Sequence, residues 1–332
     1  MSIATLAPVP DEQEVFEQWL LQRSKDARDR LTPEAAKPYR YIWRSWCRWL
    51  ANHHRSRQKE MPLYLQAKSA QVLAFLEQGP TPASGRVSKS SPISPITRRR
   101  YWMVLKDLYD FIKAKGWMES SPFANMGEGD IPESEKSEGI ILTPQHFEAI
   151  YKTLPTGESL WDYRDRAILL LLLDAALTPG EIATLEMSEV FEDLASPGRL
   201  GLSISGKRSA QTRTVPLSKL ASDALAAWLL IRPAQQKAQQ IVFLTQSHLP
   251  MTRRPLFHLV SKAITAGAIA SGLPIPGHVG PQVLRNTRLV LWIREGKSAA
   301  EVAALAGFKD ARSLRGLRRH LPPTVRVPVD RR

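Results

Sequence analysis

Cysteine is almost missing from this chain of 332 residues: Cys47 stands alone. That excludes an intrachain disulfide framework and any multi-thiolate zinc site. Long apolar runs are missing too. The longest, Ala167 to Leu173, ends at Asp174, well short of the ~20 residues that a bilayer-spanning helix needs. The N-terminus carries Asp11, Glu12 and Glu14 where a signal peptide would carry basic residues. A soluble, intracellular protein with no membrane partner is therefore expected. Acid is the scarcer charge, with 32 Asp and Glu against 46 Lys and Arg, a net +14. A polyanion is the first partner to consider. Hydrophobic residues at 43% exclude a disordered basic tail, and the length suffices for two domains with separate cores.

The charge is unevenly spread. Residues 1–100 hold 17 basic and 9 acidic residues, residues 101–200 hold 8 and 18, and residues 201–332 hold 21 and 5. Two basic regions thus flank an acidic middle. Gly127 to Gly139 (GEGDIPESEKSEG) is rich in Gly, Pro, Ser and Glu and nearly devoid of apolar residues, the composition of a linker. The expected boundaries are a first domain at 1–126, a linker at 127–139 and a second domain at 140–332. Gly79 to Pro95 is a second soft stretch, expected to join two helices of the first domain.

The first domain reads as helical. Tyr39, Ile42, Trp43, Trp46 and Leu50 recur at helical spacing. Lys37, Arg40, Arg44 and Arg48 fall on the opposite face with no acid among them, either a polyanion-binding surface or a solvated one. A later helix is expected to open at Thr97, with Leu105, Leu108 and Ile112 buried and Gly116 closing it. That placement crowds Arg98, Arg99 and Arg100 into the first turn, the unfavourable end for cations. A bound phosphate would offset this cost, as would water or a neighbouring acid.

The second domain holds the informative motifs. Thr143 opens a helix, and Trp161 to Asp193 reads as a buried helix, a turn at Thr178-Pro179-Gly180 and a second amphipathic helix. Gly201 to Leu217 shifts to strand period, with Leu202, Ile204, Thr212, Thr214 and Leu217 taken as alternating positions of a β-hairpin whose turn spans Gly206 to Gln211. Lys207, Arg208 and Arg213 are expected near its tip. Gly280 to His320 reads as helical, turning at Gly296 and Gly307.

The order of these segments, with RDRA opening an apolar helix, GEIATL, a GK hairpin ending in VPL, then PQVLR and LAGF, resembles the tyrosine recombinases, or phage integrases, over about residues 12 to 320. The resemblance implies a mainly α fold with a small β-sheet: a helical core-binding (SAM-like) domain and a catalytic-fold domain that together clamp double-stranded DNA. It implies no cofactor and no metal. In that family a tyrosine attacks a phosphodiester, two arginines stabilise the growing charge, a hairpin lysine protonates the leaving oxygen, and His or Trp groups assist.

Carried across motif by motif, the hairpin lysine is Lys207 and the second arginine Arg285. The other positions depart: Thr178 stands for the first arginine, Gln282 for the histidine of HxLR, Asn286 for the residue after Arg285, Phe308 for the His/Trp position and Leu317 for the tyrosine. No tyrosine follows Tyr163 anywhere in the chain. The resemblance therefore implies a pseudoenzyme that keeps DNA-binding cations: Lys207, Arg208 and Arg213 with Arg285 and Arg288, beside Lys37, Arg40, Arg44, Arg48 and Arg98 to Arg100 in the first domain. Arg285 has an alternative as a buried structural ion pair, with Glu181 as a partner, and the hairpin trio as a solvated turn. The expected role is a regulator or maintenance factor of a mobile element or plasmid, in the cytoplasm and associated with the nucleoid. LPPTVRVPVDRR after His320 cannot form the docking helix of the family's tetramers, so a monomer or dimer is expected. Three rivals remain: a working recombinase with an atypical nucleophile such as His320, an independent helix-turn-helix at Ser298 to His320, and a basic protein-interaction module.

Overall fold

The computed structural model describes residues 9–25, 31, 33–53, 61–80, 93–132, 139–206, 212–233, 240–325 and 327, and divides the chain into two compact units, Met1–Lys136 and Ser137–Arg332. Lys207 and Arg208, with the rest of the hairpin turn to Gln211, lie outside the described residues, as does much of Gly79 to Pro95.

The first unit is built from α1 (Glu12–Lys25), α2 (Pro33–His53), α3 (Ser69–Gln78) and α4 (Pro95–Ala114), with 3₁₀ turns at Leu63–Gln66 and Glu128–Asp130. Four of the five residues in the apolar stripe of α2 are inside: Ile42, Trp43, Trp46 and Leu50 are buried among Phe16, Tyr64, Phe75, Leu105 and Tyr109, while Tyr39 is half-buried. Such large rings bring polar atoms with them, and each finds a partner. Trp46 Nε1 donates to Tyr109 Oη at 2.9 Å, Tyr109 donates to the Tyr64 carbonyl at 2.9 Å, and Tyr64 donates to the Pro10 carbonyl at 2.7 Å. This relay ties α2, α4, the 3₁₀ turn and the segment before α1 through one buried core.

The start of α4 corrects an expectation. Ser94, not Thr97, is the cap: its Oγ accepts from the Thr97 N–H at 3.3 Å, and Pro95 takes the first helical position. Arg98, Arg99 and Arg100 therefore occupy the fourth to sixth positions, past the end where the dipole repels cations most. The other end matches the reading. Gly116 adopts φ 73°, its N–H bonding to Lys113 and that of Trp117 to Ile112, a Schellman closure.

The second unit begins with α5 (Pro144–Lys152), α6 (Leu160–Asp174) and α7 (Pro179–Thr184), continues through the strands β1 (Val190–Glu192), β2 (Leu200–Ile204) and β3 (Arg213–Pro216), and ends with α8 (Lys219–Ile231), α9 (Arg253–Ala270), α10 (Pro281–Arg294), α11 (Ala299–Leu305) and a 3₁₀ segment, Ala311–His320. The sheet is antiparallel in the order β1-β2-β3, with Val190 opposite Leu202 and Leu202 opposite Val215. The whole is mainly α with a small sheet. Helix α6 is its axis: Ile168 to Leu173 are all buried, packed with Leu202, Val215, Leu225, Trp228 and Leu284. A second cluster joins Leu289, Val290, Trp292 and Ile293 of α10 to Val302, Leu314, Leu317 and Leu321.

Three expectations change here. The helix after Thr178 is six residues long, and β1 follows where helix was expected to run to Asp193. In β3 the inward side chain is Val215, with Leu217 buried just after the strand, while Thr214 is exposed, so the expected phase is off by one. Ser298 to His320, expected by one rival reading to be an independent helix-turn-helix, has a 3₁₀ second element, and its buried Leu314 and Leu317 pack in the cluster of α10. Among the described residues, no helix is long and apolar enough to cross a membrane, and no group of His, Cys, Asp or Glu is placed to hold a metal.

Candidate functional site

In the second unit, two of the family-implied positions, Thr178 and Arg285, meet at one carboxylate, that of Glu181. Thr178 caps α7: its Oγ1 accepts from the Glu181 N–H at 3.2 Å, and its own N–H donates to Glu181 Oε2 at 2.7 Å. This reciprocal box fixes Glu181 at the start of the helix. Position 178, where the resemblance asks for an arginine, is thus occupied by a cap. Arg213 reaches the same carboxylate from β3, Nη1 to Oε1 at 2.7 Å and Nη2 to Oε2 at 3.2 Å, while its Nε donates to the Leu305 carbonyl at 2.6 Å. Its side chain is only 6% exposed. The expectation that Arg213 projects near the hairpin tip does not hold, because Glu181 draws it inward.

Arg285, from α10, is also buried. Its guanidinium donates to the backbone carbonyls of Ala176 and Ala306, lies 3.9 Å from Glu181 Oε2, and sits 5.3 Å from the ring centre of Phe308. Ala176 holds φ 50°, a left-handed value that a non-glycine residue seldom takes. Burial pushes the Arg285 pKa down to about 10, opposed by Glu181 and reinforced by Arg213. Burial would raise Glu181, but the hydrogen bonds and charge of Arg213, the Thr178 N–H and Arg285 bring it net below its ordinary value.

The remaining positions are occupied structurally. Gln282 donates to Asn286 Oδ1 at 2.8 Å, and Asn286 donates to the Ile140 carbonyl at 3.1 Å. Leu317 is 5% exposed and packs in the α10 cluster. His320 Nε2 lies 2.8 Å from the Gly139 carbonyl. Arg288 donates to the Asp174 carbonyl and to Glu295. Glu181 and Arg285 border a cleft of about 400 Å³, also lined by Thr178, Gly180, Ser205, Arg253, Gly307 and Phe308. Arg253, exposed in the first turn of α9, was passed over in the sequence. The basic pair of MTRR, the first two residues of that helix, was the available signal.

In the first unit, Arg44 and Arg48 are exposed on α2, as is Lys37. Arg40 differs: it pairs with Glu17 of α1 and stacks 5.0 Å over Phe16. The cationic face therefore includes an acid, contributed by a different helix. Arg99 donates to the Pro132 carbonyl at 2.7 Å, Arg100 lies 5.7 Å over Tyr39, and Arg98 has its Nε buried without a hydrogen-bond partner among the described residues.

The Phage integrase family profile matches residues 141–319. Among curated relatives, the chain is 28% identical over 188 residues to tyrosine recombinase XerC 1 of Ralstonia nicotianae, covering 53% of this chain and 55% of that protein. It is 28% identical over 219 residues to tyrosine recombinase XerC of Ralstonia pickettii, covering 62% and 61%. The chain thus matches little more than half the length of these relatives. Among solved structures, it is similar to the XerH site-specific recombinase bound to difH in a pre-cleavage complex, with a TM-score of 0.64, 15% identity and coverage of 92% and 81%. A lambda integrase dimer bound to a COC′ core site gives a TM-score of 0.60, 13% identity and coverage of 95% and 80%.

Proposed function

The chain belongs to the phage integrase family, and from that premise we propose that it is a duplex DNA-binding protein of tyrosine-recombinase fold that does not cleave strands. We assign it a role as a regulator or an accessory factor of a mobile element or plasmid, acting as a monomer or dimer. One observation carries this reading: no tyrosine follows Tyr163, and the position implied for the nucleophile is a buried leucine, Leu317. Two further features support it. Thr178 is committed as a helix cap, and Arg285 donates to two backbone carbonyls. Exposed Lys37, Arg44 and Arg48 suit contacts to backbone phosphates. The fold neighbours are themselves complexes, XerH bound to a difH substrate and a lambda integrase dimer bound to a COC′ core site.

The recombinase names of the relatives favour a second reading, a working enzyme with another nucleophile. His320 is the side chain it would need, and the contact of its Nε2 with the Gly139 carbonyl engages the ring within the protein.

A nicked suicide duplex separates the two. The expected result is duplex binding with no covalent protein–DNA adduct, with affinity falling by about 0.9 log unit per tenfold salt for each phosphate neutralised. Recovery of an adduct would overturn the proposal. Binding that barely responds to salt would favour a protein partner instead.

A further inference from the structure

Two arginines line the cleft of the second unit, and they are in different situations. Arg285 is buried and its guanidinium is engaged by the Ala176 and Ala306 carbonyls. Arg253 is exposed, and among the described residues it makes no hydrogen bond or ion pair. Its guanidinium lies over α7. A Cβ placed on Gly180 would stand 3.5 Å from Arg253 Nη2 and 4.0 Å from its Nε, with Thr178 Oγ1 at 3.8 Å. These are ordinary van der Waals distances, so the Arg253 side chain packs against Gly180, beside the very residue that stands where an arginine was expected. Behind it, Arg213 and Arg285 outnumber the single acid Glu181, so the cleft floor is net positive.

We propose that Arg253 holds a backbone phosphate of duplex DNA in this cleft, supplying from α9 the cation that position 178 does not carry. The inference rests on the DNA-binding reading above. A planar guanidinium matches two phosphate oxygens at once. With its other cations tied to protein groups, the cleft would grip a phosphodiester through a side chain that is free to move to it.

The test uses the full chain and a mixed-sequence duplex, with affinity measured by fluorescence anisotropy between about 50 and 200 mM salt. Arg253→Ala and Arg253→Lys are compared with Lys219→Ala, which removes an equal charge from α8, where Lys219 pairs with Asp223. The expected result for Arg253→Ala is a salt slope lower by about 1 and affinity several-fold weaker across sequences. Arg253→Lys should keep the slope and lose part of the affinity, and Lys219→Ala should alter neither. Since Arg253 is exposed, its variants should unfold at the wild-type temperature. If Arg253→Ala binds as Lys219→Ala does, the assignment of Arg253 falls while the proposed function stands. If the wild-type chain shows no salt-dependent duplex binding, both fall together.

Discussion

Arg213 and Glu181 form a two-point ion pair, with Nη1 to Oε1 at 2.7 Å and Nη2 to Oε2 at 3.2 Å, and Arg285 lies 3.9 Å from the same carboxylate. One acid thus serves two buried guanidiniums and also closes the capping box on Thr178. Removing one member of a buried pair leaves the other charge uncompensated, which costs about 3–5 kcal/mol. Glu181→Ala should therefore lower the unfolding free energy by at least about 3 kcal/mol, measured by urea denaturation of the full chain. A loss within the range of ordinary surface substitutions would show that the two arginines do not depend on it.

The same carboxylate sets a pH dependence. Its folded pKa lies below the ordinary 4.5, so between the two values the unfolded chain binds more protons and stability rises with pH. The contribution is fully present above 4.5 and is lost as pH falls through the lower folded value. Glu181→Gln cannot titrate. The stability gap between wild type and Glu181→Gln should shrink as the solution is acidified from neutrality, and a gap constant with pH would contradict this.

Gly307 adopts φ 70°, and a Cβ there would meet Arg213 Nη1 at 2.5 Å. Gly116 has nearly the same φ, 73°, with nothing within 4 Å. Comparing the two separates backbone strain from displacement of Arg213. Gly116→Ala should cost about 1 kcal/mol, the penalty for a left-handed L-residue. Gly307→Ala should cost roughly 1–3 kcal/mol more, as overpacking adds to strain. Equal losses in thermal or urea unfolding would mean that Arg213 moves aside freely.

Much of this architecture is legible in the sequence where a single element carries its own signal. The stripe from Ile42 to Leu50, the Thr143 cap and the Gly116 closure need only local spacing. The approach of Arg285 to Glu181 was among the alternatives the sequence offered, but most pairing across elements is hidden in it. Arg213 occupies the inward side of β3 with Val215 because Glu181 and the Leu305 carbonyl meet it there, and no alternation of apolar residues announces an inward arginine. The partner of Arg40 is Glu17, on another helix. Strand β1 is three residues long, too short to show a period. At the site, the substituted positions could be read off by motif, but their present occupations, as a cap, a core residue and amide contacts, could not.

Leu317 offers the sharpest test of whether the missing nucleophile is the only obstacle to cleavage. Its Cδ2 lies 2.5 Å from where a Cβ on Gly139 would be, and the side chain is 5% exposed. A tyrosine there has to displace core neighbours. Leu317→Tyr should destabilise by about 1–3 kcal/mol and still yield no covalent adduct on a nicked duplex, because position 178 remains a cap and Arg285 remains bound to backbone. An adduct formed by this variant would show that the rest of the cleft has kept its chemistry.

Arg40 and Arg44 lie on the same helix, yet they should answer differently to alanine. Arg44 is exposed, so Arg44→Ala should weaken duplex binding while leaving the unfolding temperature unchanged. Arg40 also holds Glu17 and covers Phe16. A partly exposed ion pair adds up to about 1 kcal/mol, and a cation over a ring roughly 0.5–1 kcal/mol. Arg40→Ala should accordingly lower both affinity and stability, the latter by roughly 1–2 kcal/mol. Charge reversal at the partner separates the two effects. Glu17→Lys breaks the same pair while adding positive charge, so it should cost stability without the loss of affinity. If Glu17→Lys weakens duplex binding as much as Arg40→Ala does, the face of α2 does not contact phosphate and Arg40 acts only within the fold.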